Sequence, residues 1–192
     1  MIPEELLELY FAASIDLWLP QDLSSDYPRE ASWRRIYDGS SIDSSAVSEI
    51  YRLSTSRFDQ SAFEPRGFEE GEVDSASNKS KDHTASIAVI TAWNPKGVQR
   101  SMAENIIANQ DLLSDLQQSG YSLGSSLLEA RGSDTSPGAS YYEDGYAAFD
   151  AVISTLCTLG RKYQQLAIYA IEGDELLVLG CDDGCIYRSP RG

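Results

Sequence analysis

The chain has 192 residues, 42% of them hydrophobic and 23% charged, and its 30 acidic against 15 basic side chains give a net charge of −15. A chain of this size can bury a core large enough to fold without a disulfide scaffold, and so negative a surface opposes the phosphate neutralisation on which direct DNA or RNA binding depends. No stretch approaches the ~20 uncharged apolar residues of a membrane span, and Glu4, Glu5, Glu8 and Asp16 stand where a signal peptide would be basic, so a cytoplasmic protein is expected.

Pro3 followed by Glu4 and Glu5 places a fixed φ and two carboxylates in a first helical turn, which predicts a helix from Pro3 to about Phe11. Ser14 to Leu19 then alternates polar and apolar side chains before Pro20, as a half-buried strand does. From about residue 20 to 84 serines recur in pairs and apolar periodicity is weak. This serine-rich acidic stretch reads as an insertion, and its run Ser75 to Lys81 as a solvated, flexible loop. Within it a short helix is expected after Asp43 or Ser44, with Ala46, Val47 and Ile50 on one side.

Ile87 to Trp93 is a nearly continuous apolar, β-branched run, the pattern of a central strand covered on both faces. The turn Asn94-Pro95-Lys96-Gly97 ends it, and Ser101 with Glu104 forms a capping box that opens a helix from Met102 to about Ser119, closed by Gly120. Strands are then expected at Tyr121–Ala130 and Tyr146–Phe149, a helix at Ala151–Leu159 ended by Gly160, and strands at Gln165–Ile171 and Glu175–Leu179 joined by a Glu172-Gly173-Asp174 turn. The β-α-β-β-α-β-β order predicts one domain over 1–192 of class α+β: a two-layer sandwich whose mixed sheet carries its helices mainly on one face.

The run Ile90-Thr91-Ala92-Trp93-Asn94-Pro95, followed by Ser101, Glu104-Asn105 and Asn109, resembles the bacterial family called domain of unknown function 3293. Leu112, Leu116, Gly120-Tyr121, Ala130-Arg131-Gly132, Glu143 and the Leu159 to Ile168 run follow in that family's order, and Leu6 to Tyr10 resembles its opening helix. The resemblance covers 1–19 and about 86–180. It departs around Glu143, where Tyr142 precedes and Asp144-Gly145-Tyr146 follows, in place of an upstream tryptophan and a small residue plus phenylalanine. The resemblance implies kinship and a compact cytoplasmic domain, and it assigns no catalytic role.

At about 100° per residue from Asn105, Asn109 lies near 40°, Leu112 near −20° and Leu116 near 20°, so two amides share the buried stripe of their helix. Buried amides need partners, which points to their fastening the Trp93 to Lys96 loop or to their lining a ligand site. A turn that runs into a helix N-terminus also presents open N–H groups to an anion. Lys96 and Arg100 flank it, and Arg131 and Arg161 are candidates to converge there with Trp93, Asn94, Asn105 and Asn109 around a carboxylate or phosphate.

Tyr141, Tyr142 and Tyr146, interleaved with Glu143 and Asp144, form a second candidate, an acidic and aromatic surface for a protein partner. Three cysteines and one histidine supply too few ligands for a zinc centre, and the chain contains no nucleotide or nucleophile motif, so neither metal nor cofactor is expected. Carboxylate chemistry through Glu104 and Glu143 stays open. Three functions follow as expectations: a non-enzymatic binding or regulatory protein that recognises a protein partner through the acidic tyrosine surface or the Trp-Asn-Pro loop; a small enzyme or sensor for an anionic metabolite at the strand-to-helix turn; or an acidic mimic of nucleic acid that inhibits a basic partner.

Overall fold

A computed structural model of the chain describes residues 2–18, 33–55, 84–131 and 140–188. Most of the serine-rich stretch, including Ser75 to Lys81, lies outside the described residues.

The central unit is built from β3 (Thr84–Ile90), α3 (Met102–Gln118), β4 (Ser122–Arg131), β5 (Ser140–Val152), α4 (Ile153–Lys162) and β6 (Ala167–Glu172). β5 and β6 both pair antiparallel with β3, one on each side, and β4 pairs antiparallel with β5. Each helix therefore joins two strands of like direction with a third strand inserted between them. This is the interleaved, split-βαβ arrangement of ferredoxin-like sheets. β1 (Ser14–Trp18) and β2 (Arg34–Tyr37) extend the sheet beyond β4, while β7 (Glu175–Gly180) and β8 (Ile186–Arg188) extend it beyond β6, in the order β2-β1-β4-β5-β3-β6-β7-β8.

The α+β class expected from the sequence is the class of this structure. Its pairing is not mixed: every described pair is antiparallel, because each helical crossover skips a strand instead of seating its two strands side by side. Nor do the helices keep to one face, so the expected two layers become three. Ile87 and Val89 of β3 point to a cluster shared with α1 (Glu4–Ala12) and α2 (Ser44–Thr55), whereas Ala88 and Ile90 point to one shared with Leu112 and Leu116 of α3 and Leu156 of α4. β3 is the strand that both clusters need. Its residues 87–90 are buried to within 1% of complete, which explains their unbroken apolar run.

Several boundaries moved for physical reasons. β3 stops at Ile90 and not at Trp93, because side chains replace the ladder from Thr91 onward. β5 is far longer than Tyr146–Phe149, since it pairs with β4 along its whole length from Arg131↔Ser140 to Ser122↔Phe149. Gly160 does not end α4; a Cβ there would lie 2.4 Å from Cys181 Sγ, so the glycine is needed for close approach, and the helix runs on to Lys162 before Gln164 turns at φ 57°. β2 and β8 were not expected, being four and three residues long at the two edges of the sheet.

α1 crosses the face of the sheet opposite α3 and α4. Two tyrosines hold its last turn: the Tyr169 hydroxyl donates to the Tyr10 carbonyl (3.0 Å), which also accepts the Ala13 N–H, and the Tyr37 hydroxyl donates to the Phe11 carbonyl (2.6 Å). Replacing both with phenylalanine is expected to cost about 1–3 kcal/mol in urea denaturation and to speed amide exchange in α1; unchanged values would mean that apolar contacts alone seat the helix.

Candidate functional site

The strand-to-helix turn is held by side-chain amides. The Asn109 Oδ1 accepts the Ala92 N–H (2.8 Å), and its Nδ2 donates to the Asp144 carbonyl (2.7 Å), tying the end of β3 to β5. The Thr91 hydroxyl donates to the same carbonyl (2.7 Å) and accepts the Trp93 N–H (3.0 Å). Asn105 accepts the Asn94 N–H (3.0 Å) and donates to Asn94 Oδ1 (3.1 Å). From the other side, Gln165 donates to the Trp93 carbonyl (2.9 Å), and the Lys96 N–H donates to the Gln164 carbonyl (2.8 Å).

Asn94 is the hub of this network. It sits in the left-handed region at φ 47° and ψ 58°, which asparagine tolerates better than most residues. Besides its bonds to Asn105, its Oδ1 accepts the Arg100 N–H (3.1 Å), its carbonyl accepts the Gly97 N–H (2.8 Å), and its Nδ2 donates to Glu143 Oε1 (2.9 Å). Donors and acceptors on both faces of the sheet are thereby linked through one side chain.

Glu143 lies on the α1 side, beside Leu128 of the neighbouring strand, where β5 passes under the turn. It stands at the meeting point of two cavities. The inner one, about 120 Å³, lies between α1 and the sheet and is lined by Leu6, Leu9 and Tyr10 of α1 and by Val89, Leu128 and Tyr169 of the strands, with Trp93, Asn94 and Glu143 at its mouth. The outer cleft, about 430 Å³, opens toward the start of α3 between Arg100, Met102 and Tyr142 and shares Trp93, Asn94, Gly97 and Glu143. Among the described residues, the Glu143 carboxyl has one hydrogen-bond partner, Asn94, and the buried Trp93 Nε1 has none.

Desolvation pushes the Glu143 carboxyl above its ordinary value, against the opposing pull of the Asn94 amide. Glu104 goes the other way. It is held below its ordinary value first by the Ser101 hydroxyl and then by the Ser101 N–H, because it closes the expected capping box (Ser101 N–H to Glu104 Oε2 3.0 Å; Glu104 N–H to Ser101 Oγ 3.3 Å). The two carboxyls do not form a working pair: Glu104 is exposed and serves the helix cap, while Glu143 faces the cavities.

Of the residues singled out in the sequence, Trp93, Asn94, Arg100 and Asn105 border the outer cleft, and Asn109 lies behind it as a fastener. Arg161 is elsewhere, donating to the Cys181 carbonyl (2.6 Å) and the Thr158 hydroxyl (3.0 Å), and Lys96 joins the turn through its backbone N–H. The Arg131 and Tyr141 side chains fall outside the described residues. Strand alternation divides the tyrosine group: Tyr142, Asp144 and Tyr146 point to one face of β5 and Glu143 to the other. The structure thus moves Glu143 from the expected acidic surface into the cavity. It adds Thr91, Gln165, Tyr169 and the α1 residues, of which Thr91, Gln165 and Leu6 to Tyr10 lie in the motifs that bore the family resemblance.

Among the described residues, no helix is long and apolar enough to cross a membrane, and no three His, Cys, Asp or Glu side chains are grouped to hold a metal. The three cysteines are free, and burial, the largest cause, pushes the Cys181 thiol up to about 12.

Asn109→Leu is expected to cost about 1–3 kcal/mol in chemical denaturation, since it leaves the buried Ala92 N–H without its acceptor and the Asp144 carbonyl to the Thr91 hydroxyl alone. Because the Glu143 carboxyl is raised in the folded chain, its contribution to stability is fully present below the ordinary carboxylate range and is lost as pH rises through the folded value. Glu143→Gln, which keeps an acceptor for Asn94, is therefore expected to be more stable than the parent chain at neutral pH, with the difference closing on acidification. Parallel denaturation curves from pH 4 to 8 measure it.

Residues 90–168 match the model of a family described as a protein of unknown function (DUF3293). No curated protein and no solved structure matches the chain. The matched span runs from the end of β3 to the start of β6 and takes in the turn, α3, Glu143 and Gln165, while α1, the outer wall of the inner cavity, lies before it. Over the span that holds the amide network and the carboxyl beneath it, the chain is thus similar to the DUF3293 family.

Proposed function

We propose that the chain is a non-enzymatic binding protein of the bacterial cytoplasm that takes up a small organic molecule between α1 and the sheet at the Trp93 to Gly97 turn. Glu143 is the observation that supports this. A carboxyl at the mouth of a largely apolar cavity, with one protein partner and a raised proton affinity, has an unfilled requirement that a ligand group would meet. The anionic metabolite expected from the sequence suits this cavity poorly, since its described lining contains a carboxyl and no lysine or arginine. In ligand-observed NMR of the full chain against a mixed library of small fragments, binding is expected to be lost in Leu9→Trp, which fills the cavity from α1. Fragments that bind the variant as well as the parent, or none that bind either, would overturn this reading.

A second reading keeps the protein partner. Val98, Met102, Ile106 and Tyr142 are 57%, 69%, 42% and 52% exposed, and Met102 and Tyr142 border the outer cleft beside the Trp93-Asn94 corner. Apolar side chains in such number around one corner favour an interface. A protein held there would be lost from affinity capture with Met102→Asp and retained with Leu9→Trp, the reverse of the small-molecule outcome.

A further inference from the structure

We propose that the molecule taken into the inner cavity is a small organic ammonium ion, with its charged head at Glu143 and its aliphatic part against α1. This rests on the reading of the cavity as a binding site and adds the chemical class of the occupant.

Three independent features of the lining agree. The first is charge: the ionisable side chains of the cavity's described lining are Glu143, Tyr10 and Tyr169, so among the described residues no lysine or arginine there competes for the carboxylate. Asn94 takes one carboxylate oxygen, and the other has no hydrogen-bond partner among the described residues. Burying a carboxylate without a countercharge is costly, and a cation relieves that cost where a neutral molecule does not. The second is aromatic surface. Trp93, Tyr10 and Tyr169 all line the cavity, the two tyrosines meeting edge to face at 5.7 Å between ring centroids, and ring faces attract organic cations most strongly where water is excluded.

Size is the third. The volume of about 120 Å³ is below the ~150 Å³ of an apolar cavity that holds benzene, which limits the enclosed part to about five heavy atoms. Leu6, Leu9, Val89 and Leu128 give that part an aliphatic environment.

Titration calorimetry on the full chain with n-butylammonium, choline, 1-pentanol and pentanoate tests the proposal. Both ammonium ions are expected to bind, and Glu143→Gln is expected to weaken both at least tenfold while leaving 1-pentanol unchanged. A second readout, the Asn94 side-chain amide resonance in 1H–15N spectra, is expected to move with the ammonium ions in the parent chain and also reports that the variant is folded. If 1-pentanol or pentanoate binds as well as the ammonium ions, with binding lost in Leu9→Trp, the ammonium assignment falls and the cavity remains a binding site. If none of the four binds, the ammonium assignment falls, while the small-molecule reading falls only if the fragment library is also without a binder.

Discussion

A strand that runs into a helix through a left-handed corner leaves backbone groups that neither element can satisfy, and here asparagine side chains satisfy them. Asn109 and Asn105 reach up from α3 to take the N–H groups of Ala92 and Asn94, while the Asn94 side chain bonds to Asn105, to the Arg100 N–H and to Glu143. Removing any one amide would strand partners in low dielectric, so the network is rigid because its members depend on one another. The position of Glu143, the edge of the inner cavity and the orientation of Trp93 all follow from it.

The split sheet explains why the site has two sides. With α3 and α4 on one face, the opposite face of a ferredoxin-like unit is left to be covered by something else, and in this chain α1 and α2 cover it. α1 lies across the strands and is tethered at its C-terminal turn by Tyr37 and Tyr169. A helix laid over a curved antiparallel sheet seldom fills every gap at the strand ends, and the inner cavity lies in such a gap, beneath the turn. Gly145 belongs to the same geometry: a Cβ there would approach the Ile90 carbonyl to 2.6 Å, so β5 can pass this close to β3 only without a side chain.

The two carboxyls nearest the turn show how environment separates residues of one type. Glu104, exposed and hydrogen-bonded by Ser101, is held in its charged form and belongs to the architecture of α3. Glu143, drawn into apolar surroundings with Asn94 for company, is raised above its ordinary value by desolvation. Net charge gives no guide to this difference. The acidity of the chain is a property of its whole surface, whereas the chemistry of the cavity turns on one side chain that the pleat of β5 directs inward.

What depends on neighbouring residues was legible in the sequence. The apolar run of β3, the Ser101–Glu104 cap, the span of α3 and the inward stripe of Asn105 and Asn109 all follow from periods of two and 3.6 residues and from local hydrogen bonding. The similarity to DUF3293 was legible too, since it rests on ordered motifs. Contacts between distant segments decided the rest. The strand that each crossover skips, the second helical face and the closing of the cavity by α1 are settled by pairings such as Ile87 with Phe149 and Ile171, which no local pattern encodes. For the same reason Glu143 read as part of an acidic surface until its register opposite Leu128 placed it under Asn94, and Arg161 read as an anion ligand until the Cys181 carbonyl claimed it. A side chain's type fixes which bonds it can make, and the partners that tertiary structure brings within reach fix which of them it does make.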